Sequence, residues 1–202
     1  MENEEMIQQT QLLNEALDFA LQGSILFNIL SHEGKEVKEY TNEELIKAIN
    51  LQVNITMEEC LEFFDNVEKD LEEELDGIID AVFYTGRYLE FLVEEFNSRN
   101  LQEADALLLR RLQHTRALVQ HIERTVFFDV DVVVEANKRI VENNNSKFTK
   151  DSEEFAEWRD GNMIRKSVEY KGEYYYLLVD KNGKIKKHLD FDSVSLGDLV
   201  NE

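Results

Sequence analysis

Proline is missing altogether from the 202 residues of this chain, against a usual share of about 5%. Proline fixes φ and removes a backbone donor, so without it helices run on with no forced stop. Boundaries must then come from capping residues and from breaks in the apolar periodicity. Glu4 to Leu30 reads as one helix, with Leu12, Leu13, Ala16, Leu17, Ala20 and Leu21 near a 3.6-residue period. Ser31 to Tyr40, with Gly34, reads as a loop. Three cap signatures follow, Thr41 with Glu44, Thr56 with Glu59 and Asp70 with Glu73, each heading an apolar pattern. They predict a short helix, a second starting at Thr56, and a long one through Leu92. Further helices are expected over Leu101 to Arg124, after a break at 97–100, and over Val130 to Glu142.

The character changes past Asn143. Asp151 to Trp158 fits a short helix and Gly161-Asn162 a turn. Tyr170, Tyr174 to Val179 and Lys184-Ile185, punctuated by Lys171-Gly172 and Asn182-Gly183, read as strand, turn, strand, turn, strand. The tyrosine run is expected to be half core and half surface. The chain is therefore expected to be mainly α, with residues 1–148 a helical bundle and 149–202 an α/β tail carrying a β-hairpin.

Twenty-two basic residues face 43 acidic ones, a net charge of −21. Such a surface repels nucleic-acid backbones and anionic membranes, so neither is expected as a stable partner. No stretch approaches the ~18 apolar residues of a membrane span. The acidic start, Met1-Glu2-Asn3-Glu4-Glu5, lacks the positive region of a signal peptide. The single cysteine, Cys60, excludes an intramolecular disulfide and a thiolate metal cluster. These readings point to a cytoplasmic protein. Within the tail the balance reverses: residues 165 to 188 carry seven Lys/Arg against three Asp/Glu. That segment either closes over phosphates, docks on an acidic neighbour or is a solubilising hairpin.

Acid is densest between Asn42 and Asp80, with 13 Asp/Glu opposed by Lys47 and Lys69. Glu59 and Glu62 are i,i+3 on a helix, and Asp76 and Asp80 are i,i+4, so each pair leaves one face. Glu73 with Asp76 is a rival i,i+3 pair. On one straight helix positions 59 and 76 would lie about 25 Å apart. A turn between Asp65 and Asp70 would instead make the helices neighbours roughly 8–10 Å apart, and four carboxylates could converge. An all-oxygen site suits Mg²⁺ or Mn²⁺. The plainer reading is a solvated acidic face, with Glu59 serving as the partner of a Thr56 cap and Glu72, Glu73 and Glu74 facing solvent.

Glu58-Glu59-x-x-Glu62, a 13-residue spacer, then Asp76-x-x-x-Asp80 leading into Ala81 to Gly86 resembles the MazG-like, phosphoribosyl-ATP-pyrophosphohydrolase-like family. Ile140 to Phe148, with Asn144-x-Ser146-Lys147, is similar to the N-x-S-K segment of its phage-type members. Asp180 to Lys187 is similar to their GKxxKP tail, with His188 in place of proline. The resemblance spans about residues 55 to 190 and implies an all-α NTP pyrophosphohydrolase-like bundle. It implies hydrolysis of a (d)NTP to (d)NMP and pyrophosphate. Glu59, Glu62, Asp76 and Asp80 would hold Mg²⁺, with Mn²⁺ as an alternative, and Glu58 would act on the attacking water. Lys147 would meet a phosphate, Asn144 the phosphate or sugar, and the chain would form a homodimer or homotetramer. Phe91 to Phe128 is longer than the family core. Dimeric dUTPase blocks are not found.

Other chemistries find less footing. A di-iron bundle needs Glu-x-x-His, yet Ile29, Arg111, Leu118 and Ile185 stand three before the four histidines. Cys60 lies on an apolar stripe, and no P-loop or Rossmann glycine pattern occurs. The alternative from a different class is a non-enzymatic acidic interaction protein, such as a DNA mimic or an inhibitor of a basic partner.

Overall fold

The computed structural model describes residues 2–101, 106–125 and 127–200, with no side-chain detail for Glu2 and Asn3. It is mainly helical with one small antiparallel sheet. Helix α1 (Glu2–Ser31) is followed by a 3₁₀ turn (Val37–Glu39) and by α2 (Asn42–Asn66). Next come α3 (Leu71–Ile78), a π-helical segment (Ile79–Gly86) and α4 (Arg87–Ser98), which form one unbroken rod. Helices α5 (Ala106–Thr125) and α6 (Val130–Asn145) complete the body. The remainder is β1 (Phe148–Thr149), α7 (Ser152–Glu157), β2 (Ile164–Tyr170), β3 (Glu173–Val179), β4 (Ile185–Lys186) and α8 (Gly197–Val200). No helix among the described residues is long and apolar enough to cross a membrane.

Helix α2 starts where the Thr41 signature places it. The Thr41 hydroxyl accepts from the Glu44 N–H and the Glu44 carboxylate accepts from the Thr41 N–H at 2.6 Å. The second cap signature is a misreading. Thr56 lies inside α2 on its buried stripe with Leu45, Ile49, Val53, Cys60 and Phe63, so packing overrides the local cap pattern and Glu59 is no capping partner. The third holds, since Asp70 accepts from the N–H groups of Glu72 and Glu73. Of the helix expected over Leu101 to Arg124, residues 102–105 lie outside the described residues. Helix α6 runs on to Asn145.

The core has two helical halves. In one, Ala16 and Ala20 of α1 pack with the α3 and π residues Leu75, Ile78, Ile79 and Val82 and with Ala136, Ile140 and Val141 of α6. In the other, Leu45, Ile49 and Val53 of α2 meet Leu89, Leu92 and Phe96 of α4 and Leu108 and Leu112 of α5. Bound to the C-terminal end of α1 is the sheet. Strand β3 is central, pairing with β2 on one side and with β1 and β4 on the other. Its alternation splits it cleanly: Tyr175, Leu177 and Val179 face Leu30 of α1, while Leu178 and Tyr176 face Phe155 and Trp158. Tyr174 is exposed, so the tyrosine run divides between core and surface. Strand β1 carries no sequence signal of its own, being two residues long.

The last residues return to the helices. Arg139 of α6 grips the Asp198 carboxylate with both terminal nitrogens at 2.7 and 2.9 Å. The Glu72 carboxylate accepts from the Leu196 N–H at 2.6 Å and from the Ser195 hydroxyl at 3.0 Å. Leu196 is buried in the α1–α3–α6 core.

Candidate functional site

Whether the two acidic clusters meet depends on the turn between α2 and α3. The α2 C-cap, Val67, leaves the helical region, Glu68 adopts a φ of 62°, and Asp70 restarts the helix. The Glu68 N–H donates to the Glu74 carboxylate at 3.3 Å, which braces the turn from within. Glu74 is thus buried and Glu72 holds the tail; of the three glutamates expected to face solvent, only Glu73 is exposed. The rod then runs back along α2, and Gly77 sits at the crossing. A Cβ there would lie 3.1 Å from both Cα and Cβ of Phe63. Any side chain there would push the two helices apart by a few tenths of an ångström or more. Glu59 and Glu62 stand before Phe63 on one helix, Asp76 and Asp80 on either side of Gly77 on the other.

Their charges register the proximity. Burial, then the carboxylates of Glu62, Asp76 and Glu58, push Glu59 up to about 7. Burial, then Glu73, Glu62 and Glu72, push Asp76 up to about 6. Asp80 is raised well above the usual carboxylate range by burial and by Asp76 and Glu59, with Lys147 pulling the other way. Glu62 itself is exposed. Glu58 is exposed as well, and it bears on the site through the repulsion it adds to Glu59.

The π-helical segment begins one residue before Asp80. Such wide turns occur often at functional sites and leave carbonyls to be satisfied by other groups. Here the Thr85 hydroxyl donates to the Asp80 carbonyl at 2.7 Å, and the buried Gln52 amide of α2 donates to the Thr85 carbonyl at 3.0 Å. Gly86 closes the segment, where a Cβ would fall 2.4 Å from the Ala81 carbonyl oxygen.

Beside the rod opens a polar cavity of about 410 Å³. One wall is acidic, made of Glu72, Glu73, Asp76 and Asp80. The opposite wall carries Asn143, Asn144 and Lys147 from the end of α6, with Lys187 from just past β4. Ser193, Val194 and Leu196 form a third side. Lys147 donates to the Asn144 side-chain oxygen at 2.7 Å, so that amide orients the lysine. Burial, then the neighbouring Lys187, lower Lys147 to about 8, while Asp80 and Glu59 act to restore it. The cavity thus brings together Asp76, Asp80, Asn144 and Lys147 of the expected site, with Glu59 and Glu62 adjoining from α2.

Sequence reading did not find Glu72, Asn143 or the 193–196 wall. Nothing in the polarity of 191–200 marks it as part of a site, and Lys187 showed as one charge within a basic stretch and as the end of the tail block, with no role of its own.

As the side chains stand, no three His, Cys, Asp or Glu groups among the described residues are arranged to share a metal ion. The donor chemistry nonetheless fits a hard cation. It consists of oxygen alone, and the attraction of Lys147 and Lys187 does not offset the burial and mutual repulsion that raise Glu59, Asp76 and Asp80.

Fold and site define a helical protein whose acidic helix pair faces two lysines across a polar cavity. Comparison with family models, with curated proteins and with solved structures found no match for this chain.

Proposed function

We propose that the chain is a divalent-metal-dependent nucleotide pyrophosphohydrolase of the MazG-like kind, converting (d)NTPs to (d)NMPs and pyrophosphate. The observation that carries this reading is the shared cavity: Asp76 and Asp80 on one wall face Lys147 and Asn144 on the other. Glu59 and Glu62 adjoin the same carboxylates. Those are the residues the resemblance assigns to metal and phosphate, and a shared cavity is what a charged phosphate chain bridged by a cation requires.

Glu59, Glu62, Asp76 and Asp80 would hold Mg²⁺ or Mn²⁺. When bound, the ion supplies charge neutralisation and polarises a phosphoryl oxygen. Lys147, oriented by Asn144, binds and positions the phosphate chain. In the reaction the water oxygen bonds to the α-phosphorus while the bond to the bridging oxygen breaks. Pyrophosphate leaves with that electron pair. The water proton passes to a carboxylate on α2, and Glu58, exposed beside the proposed ligands, is the assigned base.

The test is direct. Purified protein with Mg²⁺ and a panel of NTPs and dNTPs should release pyrophosphate. No turnover across the panel by folded protein would favour the acidic interaction protein instead.

A further inference from the structure

We infer that Lys187 joins Lys147 in a two-ammonium cradle for the pyrophosphate portion of the bound polyphosphate chain. The inference rests on the nucleotide reading above and adds to it a residue and a polarity for the substrate.

Acids outnumber bases 43 to 22 in this chain, so carboxylate partners are plentiful. The basic residues of the sheet use them: Arg165 pairs with Asp160 at 2.8 Å, Lys166 with Glu33 at 2.6 Å and Lys186 with Asp180 at 3.7 Å. Lys171 reaches Glu36 at 3.3 Å, which helps bind the sheet to the helices. Lys181 and Lys184 form no such pair among the described residues; the two lysines that line the polar cavity are likewise unpaired. Among the described residues neither Lys147 nor Lys187 forms a salt bridge. Neutral groups hold them instead. Lys147 donates to Asn144 and lies 5.5 Å from the Phe27 ring centroid, while Lys187 lies 4.3 Å from that of Phe191. An amide oxygen and aromatic faces fix an ammonium in place without neutralising it.

Two like charges kept in one cavity repel each other, and an external anion between them offsets that repulsion. The cavity is therefore polarised, with carboxylates along the rod and ammoniums along α6 and the end of β4. Asp76 and Asp80 would hold a cation on the acidic wall, which would anchor a phosphate chain there, where cleavage is proposed. The rest of the chain must then extend toward the positive wall. With cleavage between α and β phosphates, that remainder is the β,γ-pyrophosphate, and the nucleoside points away from the lysines. Val194, Leu196 and Ile140 are the apolar lining and no aromatic ring faces the cavity, so it suits phosphates better than a stacked base.

Calorimetric titration with pyrophosphate and with orthophosphate, on wild type, Lys187→Gln and Lys187→Arg, tests the cradle. Wild type should prefer pyrophosphate, Lys187→Gln should weaken it roughly tenfold through loss of a charge-assisted contact, and Lys187→Arg should retain most of it. In steady-state kinetics Lys187→Gln should raise KM by a similar factor with a smaller change in kcat, as expected for a contact present before and during the chemical step. The Mg²⁺-induced rise in Tm should persist in Lys187→Gln, which separates this role from a structural one. Nucleotide turnover with unchanged pyrophosphate affinity and KM in Lys187→Gln would overturn the cradle and leave the hydrolase reading standing. Lys187-dependent pyrophosphate binding without any turnover would support the cradle and sink the hydrolase. Wild type that does not bind pyrophosphate would overturn the inference outright.

Discussion

Replacing Glu59 with glutamine should stabilise the metal-free protein, and by an amount that depends on pH. Its carboxyl sits at about 7 in the fold against an ordinary 4.5. A group raised in this way contributes stability that is fully present below its unfolded value. That stability is lost as pH rises through the folded value, here between about 4.5 and 7. Above that window the ionised side chain costs about 3 kcal/mol. Partial solvent access reduces this to roughly 1–2 kcal/mol. For a chain of this length each kcal/mol moves Tm by about 2–4 °C. Glu59→Gln should therefore raise Tm by roughly 3–6 °C at pH 8 in EDTA, and the gain should vanish near pH 4.5, where wild-type Glu59 is already protonated. Mg²⁺ or Mn²⁺ should reverse the order by stabilising wild type more than the variant. Scanning fluorimetry across pH, with and without divalent ion, reads all three. A drop in Tm at pH 8 without metal, or a gain of equal size at pH 4.5, would show that Glu59 is not the strained charge described.

Asp80→Asn should abolish the rise in Tm caused by Mg²⁺ or Mn²⁺, since Asp80 is the deepest member of the acidic wall; an unchanged rise would remove it from the ligand set. Gly77→Val should cost about 1–3 kcal/mol by overpacking against Phe63, measured by denaturant unfolding, and should blunt the metal response as α2 and the rod separate. Native stability in that variant would mean the close crossing is dispensable. Cys60 is buried, and burial followed by Glu59 pushes its thiol up to about 11, so thiol reagents should label it only on unfolding; rapid labelling of native protein at pH 8 would contradict its placement.

How far the sequence foretells this structure depends on the range of the interactions involved. Local features read correctly: the Thr41 and Asp70 caps, the turn before α3 and the β3 alternation are each decided within a few residues. Thr56 misled because its cap signature is local while its burial against the rod is not. The π segment leaves no mark, since an apolar run such as Ile79 to Gly86 fits either turn width, and one partner of its carbonyls, Gln52, stands 33 positions from the carbonyl it serves. The acidic pairs were legible from helical spacing, and the packing of the two helices that carry them from the turn. Glu72 and residues 193–196 were not, because the contact between them spans more than 120 positions.

The wide turn from Ile79 to Gly86 acts as a register joint in the rod. Residues before it aim the acidic wall; residues after it aim Tyr88, Leu89 and Leu92 into the second half of the core. Wound as an ordinary α-helix with no residue lost, the same eight residues would swing everything downstream by about 100°. Either the carboxylates or the α4 stripe would then face the wrong way. Substitution can tune this stretch, but its length is locked to the geometry of both ends.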